Sequence, residues 1–188
     1  MNRELVNLPN AITVLRALLI PVIVYALATQ RYGLGLALFV VQAVSDLADG
    51  VIARRWNLRT RFGAIADPVA DKLTMLSVTL MLAGDGLVPG WLAAMVIARD
   101  VLIVFGAVAY HFLVHELEMA PSWLSKVNTG FEFIVLAAVL ADAALLFEAE
   151  PWLPTAFVVV GVTIALSGAQ YAWEWGLRAV RGLRGPRS

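Results

Sequence analysis

The chain has 188 residues, of which 61% are hydrophobic and 15% charged, and its 14 basic and 14 acidic side chains leave no formal net charge. A soluble domain of this length needs a far more polar surface, and a balanced charge gives nucleic acid no electrostatic footprint to bind. The absence of cysteine removes a disulfide framework and any thiolate metal site.

Six apolar runs each near or exceed the roughly 20 residues that span a bilayer. They predict an all-α integral membrane protein with six transmembrane helices, at 10–29, 33–54, 63–83, 90–114, 124–147 and 153–177. The first run follows Arg3 and contains Ala26-Leu27-Ala28, which looks like a signal-peptide cleavage site; Arg16 inside the run and Pro21 after it argue against cleavage. The second run carries Asp46 and Asp49. The third carries Asp67, Asp71 and Lys72, and the polar stretch from Arg54 to Arg61 joins the two. The fourth holds Arg99 and Asp100, with His111 near its end and His115 beyond. The fifth opens near Lys126 and Thr129 and also contains Glu132 and Asp142. No role is assigned to these two histidines or to Glu132 and Asp142. Gly33, Gly35, Gly84-Asp85-Gly86, Pro89, Pro121, Pro151 and Pro154 punctuate the connections. Residues 1–188 read as a single domain, ending in a basic tail over 178–188 that is expected to be disordered from Arg181 onward and to lie near anionic headgroups.

With six spans the termini share a side. That side collects Arg3, Arg54, Arg55, Arg59, Arg61, Lys126, Arg178, Arg181, Arg184 and Arg187, ten of the 14 basic residues. The other side has Arg31 with acidic Asp85, Glu148 and Glu150. Positive-inside logic puts both termini and the arginine-rich loop in the cytoplasm of an inner or plasma membrane. Trp91, Trp123, Trp152, Trp173 and Trp175 fall near span ends, as an interfacial belt does.

The four aspartates are the costly feature. Each ionised Asp near a membrane-helix centre costs roughly 2.5–3.5 kcal/mol on insertion scales. Counted from the loop at a helical rise, Asp49 and Asp67 lie about 8–9 Å deep, and Asp46 and Asp71 about 13 Å deep. Antiparallel helices level Asp49 with Asp67 and Asp46 with Asp71, and the i,i+3 and i,i+4 spacings put each pair on one helix face. Gly50, Ala53, Gly63, Ala64 and Ala66 let a ligand or a backbone come close, and Arg54 lies two turns above Asp46. Three explanations share these residues: divalent metal chemistry, internal salt bridges to Arg54, Lys72 and Arg99, or a proton or cation pathway. All-oxygen ligands with no close histidine favour Mg²⁺ or Mn²⁺, ions that complete their shells with phosphate oxygens and water. A pair of ions beside arginines suits a diphosphate substrate.

The run Asp46-x2-Asp49-Gly50-x2-Ala53-Arg54-x8-Gly63-x3-Asp67-x3-Asp71 resembles the signature of the CDP-alcohol phosphotransferases at all eight fixed positions. The opening Leu8-Pro9-Asn10-Ala11-Ile12-Thr13-Val14-Leu15-Arg16 is similar to the first-helix entry of the phospholipid-synthesising branch. Ala98-Arg99-Asp100-Val101 and the stretch from Pro121 to Thr129 look most like the CMP-forming cardiolipin synthases. Phosphatidylglycerolphosphate synthases are similar but usually carry Glu where this chain has Asp100.

This resemblance implies a homodimeric membrane enzyme. It would transfer a phosphatidyl group from CDP-diacylglycerol to phosphatidylglycerol or, in the alternative, to glycerol-3-phosphate, releasing CMP near the cytoplasmic face. It implies that Asp46, Asp49, Asp67 and Asp71 hold two Mg²⁺ or Mn²⁺ ions and that Asp71 is the general base. Asp46, Asp49, Gly50, Ala53, Arg54 and Gly63 would then bind the cytidine diphosphate group. Arg99, Lys126 and Thr129 are candidates for the acceptor phosphate, and Asn10, Thr13 and Arg16 for the donor site. Asn10 equally suits a helix N-cap, Thr129 a backbone bond, and Arg99 a counter-ion to the aspartates. A non-enzymatic cation carrier using the same aspartates is the rival of another class.

Overall fold

The computed structural model describes the backbone of residues 8–55, 61–114, 123–146, 148–149 and 151–183, and the side chains of 15–46, 69–103, 127–146, 148–149, 151–170 and 173. Among the described residues there are six α-helices and no strand: α1 (Leu8–Ala28), α2 (Tyr32–Arg55), α3 (Arg61–Gly84), α4 (Gly90–Val114), α5 (Trp123–Ala143) and α6 (Leu153–Leu183). α1 and α6 each have proline as their second residue, Pro9 and Pro154, where the missing N–H costs no intrahelical bond. Pro21 lies inside α1 without ending it.

Three connections share one closure. After α1, Arg31 N–H bonds Ala26 C=O at 2.9 Å and Gln30 N–H bonds Leu27 C=O at 2.8 Å, with Gln30 at φ 55°. After α3 the same pair of bonds runs from Leu87 to Leu82 and from Gly86 to Ala83, with Gly86 at φ 77°. After α5 it runs from Leu146 to Ala141 and from Leu145 to Asp142, with Leu145 at φ 57°. Each is a Schellman cap, which satisfies the last carbonyls of the helix and turns the chain sharply. The cap after α5 ends that helix at Ala143, four residues before the predicted end at 147. Asp142, unassigned from sequence, accepts the Ala149 N–H on Oδ1 at 2.7 Å and so ties down the chain leaving the cap.

α6 runs the other way from expectation. It continues to Leu183, so the first part of the basic segment 178–188, including Arg181, is helical rather than disordered. One stretch of the described residues, Leu153–Gln170, is long and apolar enough to cross a membrane; Leu15–Ala28 and Tyr32–Asp46 are shorter apolar stretches.

The described chain forms two compact units. Unit one comprises α1, α2, α3 and residues 136–151. α1 packs against both α2 and α3. Its core is a set of helical stripes: Arg16, Ile23 and Leu27 on α1; Gly35, Phe39, Gln42 and Asp46 on α2; Asp71, Thr74, Met75, Val78 and Leu82 on α3. Leu136, Val139 and Leu140 add to the core from α5. Gly35 permits the close approach of α1 and α2, since a Cβ there would lie 2.5 Å from Leu27 Cδ2.

Unit two comprises α4, residues 123–135 of α5, and α6. α4 packs against α6, where a Cβ on Gly161 would lie 2.7 Å from the Trp91 ring. The buried positions here are Leu92, Ala93, Val96 and Arg99 on α4, and Phe157, Val160, Ile164 and Ser167 on α6. In both units large apolar side chains also face outward: Leu15, Leu18, Val22 and Tyr25 on α1, and Val158, Val159, Val162 and Leu166 on α6.

Candidate active site

The three core stripes of unit one have a common length. Arg16 precedes Leu27, Gly35 precedes Asp46, and Asp71 precedes Leu82, each by eleven residues. At a helical rise of 1.5 Å that is about 16 Å, so each stripe runs from an apolar end near the Schellman-capped turns to a charged end. Arg16, Asp46 and Asp71 are those charged ends, one from each helix.

They meet. Arg16 Nη1 donates to Asp46 Oδ1, joining α1 to α2. The Asp71 carboxylate lies within electrostatic reach of Asp46, Arg16 and Lys72. The arginine side chain is 2% exposed, whereas Asp46 is 42% exposed, so the cation is sealed in and the carboxylate opens outward. Asp71 and Lys72 are half-buried.

One turn deeper lies a neutral floor. Gln42, four residues before Asp46, donates from Nε2 to Thr74 Oγ1, and Thr74 is three residues past Asp71. The Thr74 hydroxyl in turn donates to Ala70 C=O at 2.9 Å. Both side chains are buried. This α2–α3 bond fixes the relative height of the helices that carry Asp46 and Asp71. Sequence reasoning passed over Gln42. The signal was there: an amide inside an apolar run, one turn from an aspartate on the same stripe.

The remaining signature positions sit on unbroken helix. Asp49, Gly50, Ala53 and Arg54 continue α2 beyond Asp46, and Gly63 and Asp67 precede Asp71 on α3, but their side chains lie outside the described residues. So do those of Asn10 and Thr13 on α1, Lys126 on α5 and His111 on α4, while His115 lies wholly outside. Among the described residues no group of three carboxylates or histidines gathers. The two described acids do fit a hard divalent ion by donor chemistry. Both offer carboxylate oxygens, and the Asp46 side chain is partly exposed while Arg16 holds its Oδ1. The counter-ion for Asp46 comes from α1, a partner that the sequence reading sought in Arg54, Lys72 and Arg99.

In unit two, Arg99 is buried and its Nη1 donates to Asp100 Oδ1 at 2.9 Å. Asp100 thus orients a basic neighbour. Thr129 is half-buried on α5 beside Asn128, which is fully buried and bonded on Oδ1 by the Thr163 hydroxyl at 2.6 Å. Glu132, one turn further along α5, is buried as well.

The described residues are helical, and two acids of an eight-position sequence signature lie on helices of unit one. The family of the chain follows from comparison. The profile of the CDP-alcohol phosphatidyltransferases matches residues 6–169, and the chain belongs to that family. It is 30% identical over 184 residues to a probable CMP-forming cardiolipin synthase of Drosophila melanogaster, covering 89% of this chain and 57% of that one. It is 29% identical over 194 residues to the human CMP-forming cardiolipin synthase, covering 95% of this chain and 64% of that one. It is also 38% identical over 140 residues to the CDP-diacylglycerol–glycerol-3-phosphate 3-phosphatidyltransferase of Escherichia coli strain K12, covering 71% of this chain and 76% of the relative. The chain therefore spans less than two thirds of the cardiolipin synthases it matches.

Proposed function

We propose that this chain is a phosphatidyltransferase that moves the phosphatidyl group of CDP-diacylglycerol onto phosphatidylglycerol, forming cardiolipin and CMP. The observation that carries this reading is the Gln42–Thr74 bond between α2 and α3, which sets the signature positions Asp46 and Asp71, one turn away on each helix, at the same end of unit one beside Arg16. The breadth of the likeness to cardiolipin synthases, about nine tenths of this chain, favours a lipid acceptor.

In this reading an acceptor hydroxyl oxygen attacks the phosphorus that bears the diacylglycerol. A new P–O bond forms, the pyrophosphate P–O bond breaks, and CMP leaves with the electron pair. The hydroxyl proton passes to an Asp71 carboxylate oxygen; such base catalysis contributes about 10²–10⁴-fold. Two Mg²⁺ or Mn²⁺ ions held by Asp46, Asp49, Asp67 and Asp71 would neutralise the diphosphate and its leaving oxygen. Gly50, Ala53, Arg54 and Gly63 border the nucleotide, and Asn10 and Thr13 lie at the donor entry. Arg99, Lys126 and Thr129 serve the acceptor phosphate.

In this reading the outward apolar faces of α1 and α6 meet lipid, six helices cross the membrane, the distribution of basic residues puts both termini and the site on the cytoplasmic side, and a homodimer follows from family likeness alone. The likeness to the Escherichia coli glycerol-3-phosphate enzyme supports a second acceptor. The deciding assay offers purified protein CDP-diacylglycerol, Mg²⁺ or Mn²⁺, and one acceptor at a time. CMP release with phosphatidylglycerol alone is expected; release with glycerol-3-phosphate alone would transfer the assignment to the second acceptor. Cation flux through liposomes with no CMP formed under either condition would sink both in favour of a carrier.

A further inference from the structure

Arg16 is the most buried charged side chain among the described residues, at 2% exposed, whereas its partner Asp46 is 42% exposed. A guanidinium enclosed this way is costly unless an anion and further hydrogen bonds meet it. Asp46 Oδ1 supplies the anion. The neighbouring Asp71 carboxylate feels the same guanidinium, so one fixed positive charge serves two acids on two other helices. Two carboxylates this close repel when both are ionised. The arginine offsets that repulsion without occupying the open side of Asp46.

We propose that Arg16 is the resident counter-ion of the carboxylate site: it holds Asp46 in place when no divalent cation is bound, and it lowers the site's affinity for that cation. The inference rests on the reading above that Asp46 and Asp71 take divalent ions. It assigns Arg16 to positioning rather than to contact with a substrate phosphate.

Two effects oppose each other when the guanidinium is removed. Losing an outer partner that orients a metal ligand typically weakens metal binding by about 10–100-fold. Losing a unit positive charge a few ångströms from a doubly charged ion strengthens it, and in a half-buried site this Coulomb effect is the larger. Net tightening is therefore expected. The consequence is a site that fills poorly on its own and fills well when a diphosphate brings extra negative charge. Divalent ion and nucleotide then bind as a set.

The test measures Mn²⁺ binding to the full chain in lipid nanodiscs, without substrate, from the loss of the free-ion electron paramagnetic resonance signal. Arg16→Gln is expected to bind Mn²⁺ at least about 10-fold more tightly than the native chain, from loss of the opposing charge. Arg16→Lys, which keeps the charge, is expected to stay within about threefold of native. Thermal unfolding in chelator supplies the second readout: Arg16→Gln unfolds at a lower temperature than native, and saturating Mn²⁺ raises its midpoint by more than it raises the native one. Arg16→Met keeps the packed stem without charge and replaces the glutamine variant should that one not fold.

Equal or weaker Mn²⁺ binding in the neutral variants, with clear binding in the native chain, would overturn the counter-ion role and leave the metal reading intact. Binding by neither native nor neutral chains would end the metal reading and this inference together.

Discussion

Unit one and unit two each place a buried arginine at the end of an apolar stripe, but the two arginines are held differently. Arg16 bonds an acid on another helix; Arg99 bonds Asp100, its neighbour in sequence. A cross-helix pair fixes how two helices sit relative to each other, whereas a pair between adjacent residues leaves the packing of its helix to other contacts. The unit that carries both described acids of the signature is therefore braced at its charged end. Gln42 and Thr74 add a second cross-helix bond one turn below. In unit two a polar bond from the Thr163 hydroxyl to Asn128 Oδ1 joins α5 to α6. Bracing suits groups that must hold reacting atoms within a fraction of an ångström, the role proposed for Asp46 and Asp71, whereas Arg99 is proposed to recognise the acceptor phosphate.

The largest expected effect separates those two roles. Asp71→Asn removes the proposed base and should lower kcat by about 10²–10⁴-fold while the chain still folds. Arg99→Gln removes the proposed charged hydrogen bond to the acceptor phosphate and should raise the acceptor KM by about 10–100-fold with a smaller change in kcat. Steady-state CMP release with varied acceptor reads both. A KM effect at Asp71 and a kcat effect at Arg99 would reverse the division between the units.

Next in size is the floor of unit one. Thr74→Val strands the buried Gln42 amide and should destabilise the chain by about 1–3 kcal/mol. Gln42→Leu combined with Thr74→Val removes both partners and should recover most of that loss, because two matched apolar groups need no hydrogen bond. The Gln42 Oε1 atom has no hydrogen-bond partner at the outset, which favours recovery in the double variant. Chemical unfolding of these two variants and of Gln42→Leu alone checks this; strict additivity would mean that the bond does not couple α2 to α3.

A smaller contrast sets Gly35 against Gly161. At Gly35 an added methyl meets Leu27, which is fully buried and cannot retreat, so Gly35→Ala should cost about 1–3 kcal/mol in overpacking, partly offset by better helix propensity. At Gly161 the obstacle is the ring of Trp91, which is 47% exposed and can swing outward. Gly161→Ala should then be near neutral, as a gain of about 1 kcal/mol in propensity meets a modest steric cost. Thermal midpoints of the two variants compare the tightness of the units directly.

What the sequence disclosed follows the same division between local and tertiary causes. Helix positions and the acidic signature were legible because apolar runs and i,i+3 or i,i+4 spacing are local patterns. α4 begins at Gly90 and ends at Val114, as its apolar run predicts. The partner of Asp46 was not legible: Arg16 lies thirty residues away, and only the packing of α1 against α2 brings them together. Asp142 was opaque for a related reason, since it bonds a backbone N–H seven residues ahead, across a turn whose shape no nearby glycine announces. The early end of α5 has that cause too, with Leu145 in a conformation that sequence reasoning reserves for glycine.

That turn carries the finest prediction. Of the three Schellman caps only the one after α3 has glycine, Gly86, at its left-handed position; Gln30 and Leu145 hold the others. A side chain in that conformation costs about 1–2 kcal/mol against the right-handed one. Leu145 is 94% exposed, so its side chain returns almost nothing in packing. Leu145→Gly should relieve the strain, less about 0.5–1 kcal/mol for the extra freedom glycine gains in the unfolded chain, leaving a net stabilisation of about 0.5 kcal/mol. Gly86→Ala, the reverse change at the third cap, should destabilise by about 1 kcal/mol, because it introduces strain where there is none. Unfolding in nanodiscs, where lipid can cover position 145, set beside unfolding in detergent separates backbone strain from membrane contact. A loss of stability for Leu145→Gly in nanodiscs alone would show that the exposed leucine is retained as an anchor in the bilayer rather than tolerated as a poor cap.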